Sequence, residues 1–313
     1  MSYATEQVLF QGYPAQALSA RDTEVEAIFT PQIGMLGCSL THAGVELLGH
    51  RGGLARYEAT GSTMGIPLLH PWANRLGGFS YTVGERTVEI DPDSPRIRTD
   101  PNGLPIHGLV NASPYWEVLG TAADETSARL SARLDFAAHP ELLEAFPFPH
   151  TLQIDASLQQ ATLTVRTTLA AAGQPVPVSF GYHPYLVLPD VPRAEWQVEI
   201  PLTRRLVLDD RMVPTGQVEE VEPFAGPLGE RTFDDGYEGA TDGTRFTLAG
   251  GGRTLSLELV DGYRFAQVYA PEGEEVICFE PMTAPTNALV SGRDLELVAP
   301  GETRSATFAI SVA

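Results

Sequence analysis

Alternation dominates this chain. In Leu152-Gln153-Ile154-Asp155-Ala156-Ser157-Leu158 every second position is apolar, and Leu163-Thr164-Val165-Arg166-Thr167-Thr168-Leu169 repeats the pattern. A period of two sends successive side chains to opposite faces, so both stretches predict half-buried antiparallel strands, with Gln159-Gln160-Ala161 as their hairpin connection. Residues 130–136, 255–259 and 308–312 follow the same rule, and Gly250-Gly251-Gly252 marks another hairpin between Phe246-Thr247-Leu248 and Leu255-Ser256-Leu257. Thirty glycines and 25 prolines punctuate the chain, as many short strands joined by turns require. Only Pro140 to Phe146 reads as helix, about two turns with proline at the first position. No linker-like segment divides the chain. The expectation is one all-β domain over residues 1–313, a large antiparallel β-sandwich with very little helix. Within it, residues 1–23 are expected as an edge strand or a flexible segment.

Composition narrows the chemistry. At 313 residues and 43% hydrophobic content the chain can bury a sizeable core. No run approaches the roughly 18 apolar residues of a membrane helix, and Met1-Ser2-Tyr3-Ala4-Thr5-Glu6 lacks a basic-then-apolar signal region, so a cytoplasmic protein is expected. Forty acidic residues face 20 basic ones, and all 20 are arginine. Without lysine there is no Schiff base, no phosphate-loop lysine and no lysine general base. A net charge of -20 speaks against nucleic-acid and anionic-membrane partners. Cys38 and Cys278 sit far apart in apolar settings with no CxxC, which predicts buried free thiols.

One segment changes the picture more than any other. Val276-Ile277-Cys278-Phe279-Glu280-Pro281-Met282 reads as a buried strand that delivers one carboxylate, Glu280, and stops at a proline. A lone buried carboxylate is costly unless hydrogen-bonded or working as an acid or base. Two histidines have similar frames: His107 in Leu104-Pro105-Ile106-His107-Gly108, where the glycine would let backbone and ligand approach, and His183 in Gly181-Tyr182-His183-Pro184-Tyr185. A glutamate and two histidines in apolar, glycine- and proline-rich settings suggest proton transfer on a neutral substrate. Each histidine alone also fits a satisfied core residue. His70 fits packing, and His42, His50, His139 and His150 have loop-like or polar neighbours.

Further groups are suited to holding a ligand. In His70-Pro71-Trp72-Ala73-Asn74-Arg75-Leu76-Gly77-Gly78, Arg75 offers a rigid fork of donors for hydroxyls or a carboxylate, or else pairs with a buried acid. Phe233-Asp234-Asp235-Gly236-Tyr237 carries paired carboxylates, which also fit a solvated turn. Gln267 lies on an aromatic-rich strand, Tyr263 to Pro271, whose rings could stack on a sugar. There is no GxSxG, GxGxxG or HExxH. The two histidines lie 76 residues apart (183 minus 107), which speaks against a metal site built on one strand.

Taken in order, Pro-Trp-Ala-Asn-Arg, Ile-His-Gly, Gly-Tyr-His-Pro-Tyr, Asp-Asp-Gly-Tyr and Glu-Pro-Met-Thr-Ala-Pro-Thr-Asn-Ala-Leu, the chain resembles the aldose 1-epimerase (galactose mutarotase-like) family from about Glu24 to Val312. The resemblance implies the family's β-supersandwich, no cofactor or metal, and a monosaccharide partner for a monomer or homodimer. It implies Glu280 as general base, His183 as general acid and His107 as a further active-site histidine. Arg75, Asn74, Gln267 and Asp234, with Asp235 as the alternative, would hold the sugar. Tyr182-His183-Pro184 departs from the Asn-His-Ser of galactose-acting members, which leaves the sugar open. Two rivals remain at this level. One is a hexose-6-phosphate mutarotase, which needs extra cations; Arg51, Arg56 and Arg98 are near in sequence. The other is a non-catalytic carbohydrate-binding protein, which needs neither Glu280 nor the histidines. A glycosidase would need a second carboxylate in a setting like that of Glu280.

Overall fold

The computed structural model describes residues 2–313 and is built almost wholly of antiparallel strands: 51% of residues are in strands and 8% in helices, so the all-β expectation holds. The predicted hairpins form as their periodicity requires. His150–Gln159 pairs with Thr162–Ala171, and Thr244–Gly250 with Arg253–Asp261, each through a two-residue turn. Gln160 adopts the left-handed conformation that such a tight turn demands.

These hairpins belong to a nine-stranded sheet that also contains Ala128–Asp135 and the C-terminal strand Thr303–Val312. Its inward positions, Leu152, Ile154, Leu158, Leu163, Val165, Leu257, Leu259, Phe308 and Ile310, form one continuous apolar cluster with inward residues of an eight-stranded sheet, among them Val268, Ile277 and Phe279. The central strands of that second sheet, Phe233–Glu238, Phe265–Ala270 and Ile277–Met282, present their other face to the candidate site. A five-stranded N-terminal sheet and two small two-stranded sheets complete the described residues. Tyr3–Phe10 is the edge strand of the five-stranded sheet, and Tyr13–Ala20 lies inside it with Ala15, Ala17, Leu18 and Ala20 buried.

Some expectations need correcting. The helix at Pro140 is a single turn, Pro140–Leu143, because Phe146 and Phe148 are drawn into the core and Pro147 and Pro149 break the run. Gly53–Thr60 and Ala288–Ser291 are helical without having been anticipated. Cys38 and Cys278 are free and buried, as predicted. No helix of the described residues is long and apolar enough to cross a membrane.

His70 is a packing residue, and its partner is His150, which the sequence had suggested was loop-like. Their Nε2 atoms lie 2.8 Å apart among Phe136 and Phe146, with both rings buried. His150 Nδ1 lies 2.6 Å from the Phe148 carbonyl and must donate to it, so its Nε2 accepts and His70 Nε2 donates. Protonating His150 would set two N–H groups against each other, and protonating His70 would bury an N–H at Nδ1 where it has no acceptor. Burial holds His70 well below the usual imidazole range, with the His150 charge adding to it, and burial lowers His150 to about 4. Unfolded imidazoles titrate near ~6.5, so this stability is present above that value and is lost as pH falls through about 4. The urea midpoint should therefore drop as pH is lowered from about 7 to about 4, more steeply than in the double variant His70→Leu/His150→Leu. Equal slopes in the two proteins would dismiss the pair as the cause.

Candidate active site

Glu280 and His183 meet where a sheet ladder is interrupted. Ile277–Met282 is flanked on one side by Phe265–Ala270 and on the other by Gly181–Tyr182 and Tyr185–Leu186, which pair at Gly181↔Met282 and Tyr185↔Cys278. Between those two points lie His183 and Pro184 on one strand and Glu280 and Pro281 on the other. Neither proline has an N–H to donate, so the ladder cannot close there. His183 turns its N–H to the Pro67 carbonyl instead (3.2 Å). The strand does not end at Pro281, as the sequence had suggested. It continues to Met282, with Pro281 opposite Ala266.

Strand parity then assigns the faces. The register Glu280↔Gln267 and Gln267↔Gly236 places Glu280, Gln267 and Gly236 in one row, and Asp234, two residues before Gly236, shares their face. Asp235 points to the other face, where Arg205 is its partner at 3.6 Å. Asp234 therefore lines the cavity and Asp235 does not. Both belong to the strand Phe233–Glu238, which removes the solvated-turn reading. Gly236 leaves room for Gln267, because a Cβ there would stand 3.1 Å from the Gln267 Oε1. Gln267 donates to Asp234 Oδ1 at 2.6 Å and lies behind the cavity wall.

His107 and Arg75 arrive on two loops locked back to back. Arg75 bridges Ile106, His107 N–H donates to the Asn74 carbonyl, and Leu109 N–H to the His70 carbonyl. Asn74 and His107 both have positive φ, as does Gly108. A Cβ on Gly108 would fall 2.1 Å from the His70 carbonyl oxygen, so this glycine serves loop-to-loop contact rather than the ligand approach expected of it. The segment after Glu280 fastens the same parts. Thr283 Oγ1 bonds the Phe180 backbone, Asn287 N–H donates to the Arg75 carbonyl, and Asn287 Oδ1 accepts from Gly77 N–H at 2.6 Å.

The result is a cavity of about 250 Å³, slightly under the ~300 Å³ lower end for drug-sized ligands and sized for one monosaccharide. Asn74, Arg75, His107, His183, Asp234 and Glu280 line it. Of the aromatic strand only Tyr269 reaches it; Tyr263 is sealed in the core, and Phe265 packs with Leu69, Ala73 and Met282. Tyr185, Asp100, Arg51 and Arg98 line it too. Asp100 carried no motif to betray it. It accepts from Arg75 Nε at 2.7 Å and from the N–H groups of Asn102 and Leu104. Burial pushes the Asp100 carboxyl up, yet the Leu104 N–H and the Arg75 guanidinium outweigh it and hold the group below the usual range. Arg75 spends its other donors on Asn74 Oδ1 (3.1 Å) and Asp234 Oδ2 (3.5 Å), so it is both paired with a buried acid and open to the cavity.

Glu280 Oε1 lies 3.2 Å from His183 Nε2, and the two residues are 1% and 5% exposed. His107 stands edge-on to His183 with ring centroids 5.4 Å apart. Tyr185 stacks on His183 at 4.4 Å with its hydroxyl 3.4 Å from Nε2. At 3.2 Å the Glu280–His183 contact could be an ion pair or a neutral hydrogen bond. Burial decides for the neutral form, because it penalises both charges. It raises Glu280 well above the usual carboxyl range, Asp234 adding to it and Arg75 opposing. It pushes His183 down to about 3, with Arg51 and Arg98 acting in the same direction. His107 is also held well below 6.5 by burial, then by His183 and Arg98. The usual order of carboxyl and imidazole is thereby inverted, and one proton stays with the pair over a wide pH range.

The matching family model is that of aldose 1-epimerase and covers residues 38–311. The YihR protein of Escherichia coli (strain K12), an uncharacterized protein, is 28% identical over 262 residues, 78% of this chain and 80% of that one. The fold is shared with a galactose mutarotase-like protein from Clostridium acetobutylicum (TM-score 0.82, 18% identity, covering 100% of this chain and 98% of the other). It is likewise shared with galactose 1-epimerase from Lactobacillus acidophilus NCFM (TM-score 0.79, 13% identity, 100% and 99% covered).

A neutral resting pair makes a stability prediction. A carboxyl with a raised folded pKa contributes stability that is full below its unfolded value, ~4.3, and lost as pH rises through the folded one. Glu280→Gln keeps the shape without that loss, so its Tm at about pH 7 should equal or exceed the parent's. A Tm several degrees lower would mean that Glu280 rests as a paired carboxylate.

Proposed function

Because the chain belongs to the aldose 1-epimerase family, we propose that it interconverts the α and β anomers of a hexose by acid–base opening and closure of the ring. The observation that carries this reading is the buried Glu280–His183 contact, 3.2 Å, facing a cavity the size of one sugar.

Opening a pyranose requires a proton to leave O1 while another arrives at the ring oxygen O5, and both oxygens are bonded to C1. A carboxyl and an imidazole in direct contact are spaced to serve two atoms on one carbon. In the bound ring form Glu280 is the carboxylate and His183 the imidazolium, reached by moving the shared proton across their contact. Glu280 takes the O1 proton, C1–O1 becomes the aldehyde, C1–O5 breaks, and O5 takes the His183 proton. Rotation about C1–C2 presents the other face, and closure reverses each transfer. His107, neutral by burial, supplies a hydrogen bond near O5. Asn74, Arg75 and Asp234 hold hydroxyls, while Gln267 and Asp100 fix Asp234 and Arg75.

A protein that merely binds sugar gains nothing from Glu280. Its carboxyl raises the cost of the apolar site, and its Oε2 has no hydrogen-bond partner in the protein. That observation favours chemistry over the non-catalytic reading.

Glu280→Gln should slow anomer interconversion by about 10²–10⁴-fold in polarimetry of freshly dissolved sugar, with sugar binding retained. A variant as fast as the parent would refute the base assignment. The inverted pair also predicts the pH profile. The second proton reaches the pair only near about 3, so kcat should stay flat from about pH 6 down to about pH 4. A decline centred near ~4.3 would show that Glu280 titrates like an exposed carboxylate.

A further inference from the structure

The cations around this cavity are out of keeping with the protein. The chain carries 40 acidic and 20 basic residues, yet three arginines, Arg51, Arg75 and Arg98, face one small cavity. Arg75 has its charge met by two carboxylates, Asp100 and Asp234, and gives a further donor to Asn74. Arg51 is tied to Glu274 at 2.8 Å and lies 3.3 Å from the Tyr185 hydroxyl. Arg98 is different. Among the described residues no carboxylate lies within 4.0 Å of it, and its one protein acceptor is the Gly61 carbonyl. A guanidinium has five N–H donors, so most of those of Arg98 remain for something else. Of the three arginines noted as near in sequence, Arg56 stays outside, on the helix Gly53–Thr60.

Their position within the cavity is as informative as their number. The Arg98 carbonyl accepts from Ile106 N–H, which places Arg98 beside the His107 loop. Its side chain runs to Gly61, and Thr63 Oγ1 bonds the Tyr185 hydroxyl at 2.6 Å, the same hydroxyl that reaches His183 and Arg51. Arg51 and Arg98 therefore stand near His183, and Arg75 and Asp234 near Glu280, while Arg98 and Arg75 both act on His107. Arg51 and Arg98 each lower His183 after burial has done so, and burial lowers Arg98 itself, with Tyr185 and Tyr57 opposing it and Arg51 adding to it. In the reaction proposed above the histidines serve the ring oxygen. The carbon next to that oxygen bears the exocyclic C6, so whatever C6 carries is directed at Arg51 and Arg98.

Resting on that reading of the site, we infer that Arg98, with Arg51, forms a subsite for an anionic group on C6, and that the substrate is a hexose carrying a phosphate, sulfonate or carboxylate there. The alternative is that Arg98 only satisfies the carbonyl at the end of the helix Gly53–Thr60. That role uses a single donor and needs no opening to the cavity.

The test separates binding from chemistry. Analogues of 1,5-anhydroglucitol have no anomeric hydroxyl and cannot open, so calorimetry with the parent compound and its 6-phosphate, 6-sulfonate and 6-carboxylate forms reads the subsite alone. At least one anionic form should bind about 10–100-fold tighter than the neutral one, and comparison among the three identifies the anion. Arg98→Gln should collapse that ratio towards one, and Arg98→Lys should keep part of it. Equal affinities, a preference for the neutral analogue, or no binding of any analogue overturns the subsite. Should Arg98→Gln not fold, the ligand series on the unmodified protein and on Arg98→Lys decides. Mutarotation of glucose and of the glucose derivative carrying whichever C6 anion bound tightest, measured on the same samples, keeps the two ideas apart. An anion preference in binding without acceleration of either sugar would refute the mutarotase reading and leave the subsite standing. Acceleration of both sugars without any preference would do the reverse.

Discussion

One proton held between a carboxyl and an imidazole, out of reach of bulk water, is the condition the rest of this structure serves. Charging either group in such a place costs several kcal/mol, which is why burial raises Glu280 and lowers His183. The arrangement persists because the sheet around it is otherwise saturated with hydrogen bonds and apolar contacts. Phe279 and Ile277, on the opposite face of the strand that carries Glu280, belong to the main core and anchor that strand.

The two prolines beside the pair show how sequence makes room for it. An unbroken antiparallel ladder would draw the strands of His183 and Glu280 together, the N–H donors of each directed at carbonyls of the other. Pro184 and Pro281 withhold those donors, and the His183 segment takes its bonds from Gly65 and Pro67 instead. The site is thus a gap in a ladder rather than a loop perched on a sheet: Glu280 stands on the strand Ile277–Met282, and His183 is held between the short strands Gly181–Tyr182 and Tyr185–Leu186 that pair with it.

Much of this could be read from the chain. Period-two alternation encodes the long hairpins of the nine-stranded sheet, and the apolar run ending in Glu280 marks the strand that lines the cavity. Parity on Phe233–Glu238 would even have separated Asp234 from Asp235, had the segment been recognised as a strand rather than as an acidic turn. What stayed hidden depends on partners distant in sequence. Nothing near Asp100 says that it will meet Arg75 Nε, and nothing near His150 says that His70 will face it across 80 positions. Arg51 and Arg98 were close in number to the site but indistinguishable from Arg56, because only the fold determines which of three side chains turns inward. The helix at Pro140 failed for a related reason: Phe146 and Phe148 had a core to fill, and that demand overrode local propensity.

The neutrality of the resting pair has a thermodynamic consequence for the proposed reaction. In the ring form the working state is a carboxylate and an imidazolium; once the ring has opened, the carboxyl holds the O1 proton and the imidazole has given its own to O5. The open-chain state therefore returns the site to the two neutral groups that burial favours. The neutral pair is thus the same before and after opening, and burial penalises only the ionised state that lies between the ring and the aldehyde. Cations placed beside His183 reinforce this, because Arg51 and Arg98 discourage a positive charge on the imidazole. An anionic substituent lying between those arginines and the ring would offset their charge, easing His183 towards the imidazolium needed to start. Substrate charge and acid strength would then be coupled through the arginines, so that the correct sugar equips the site to protonate it.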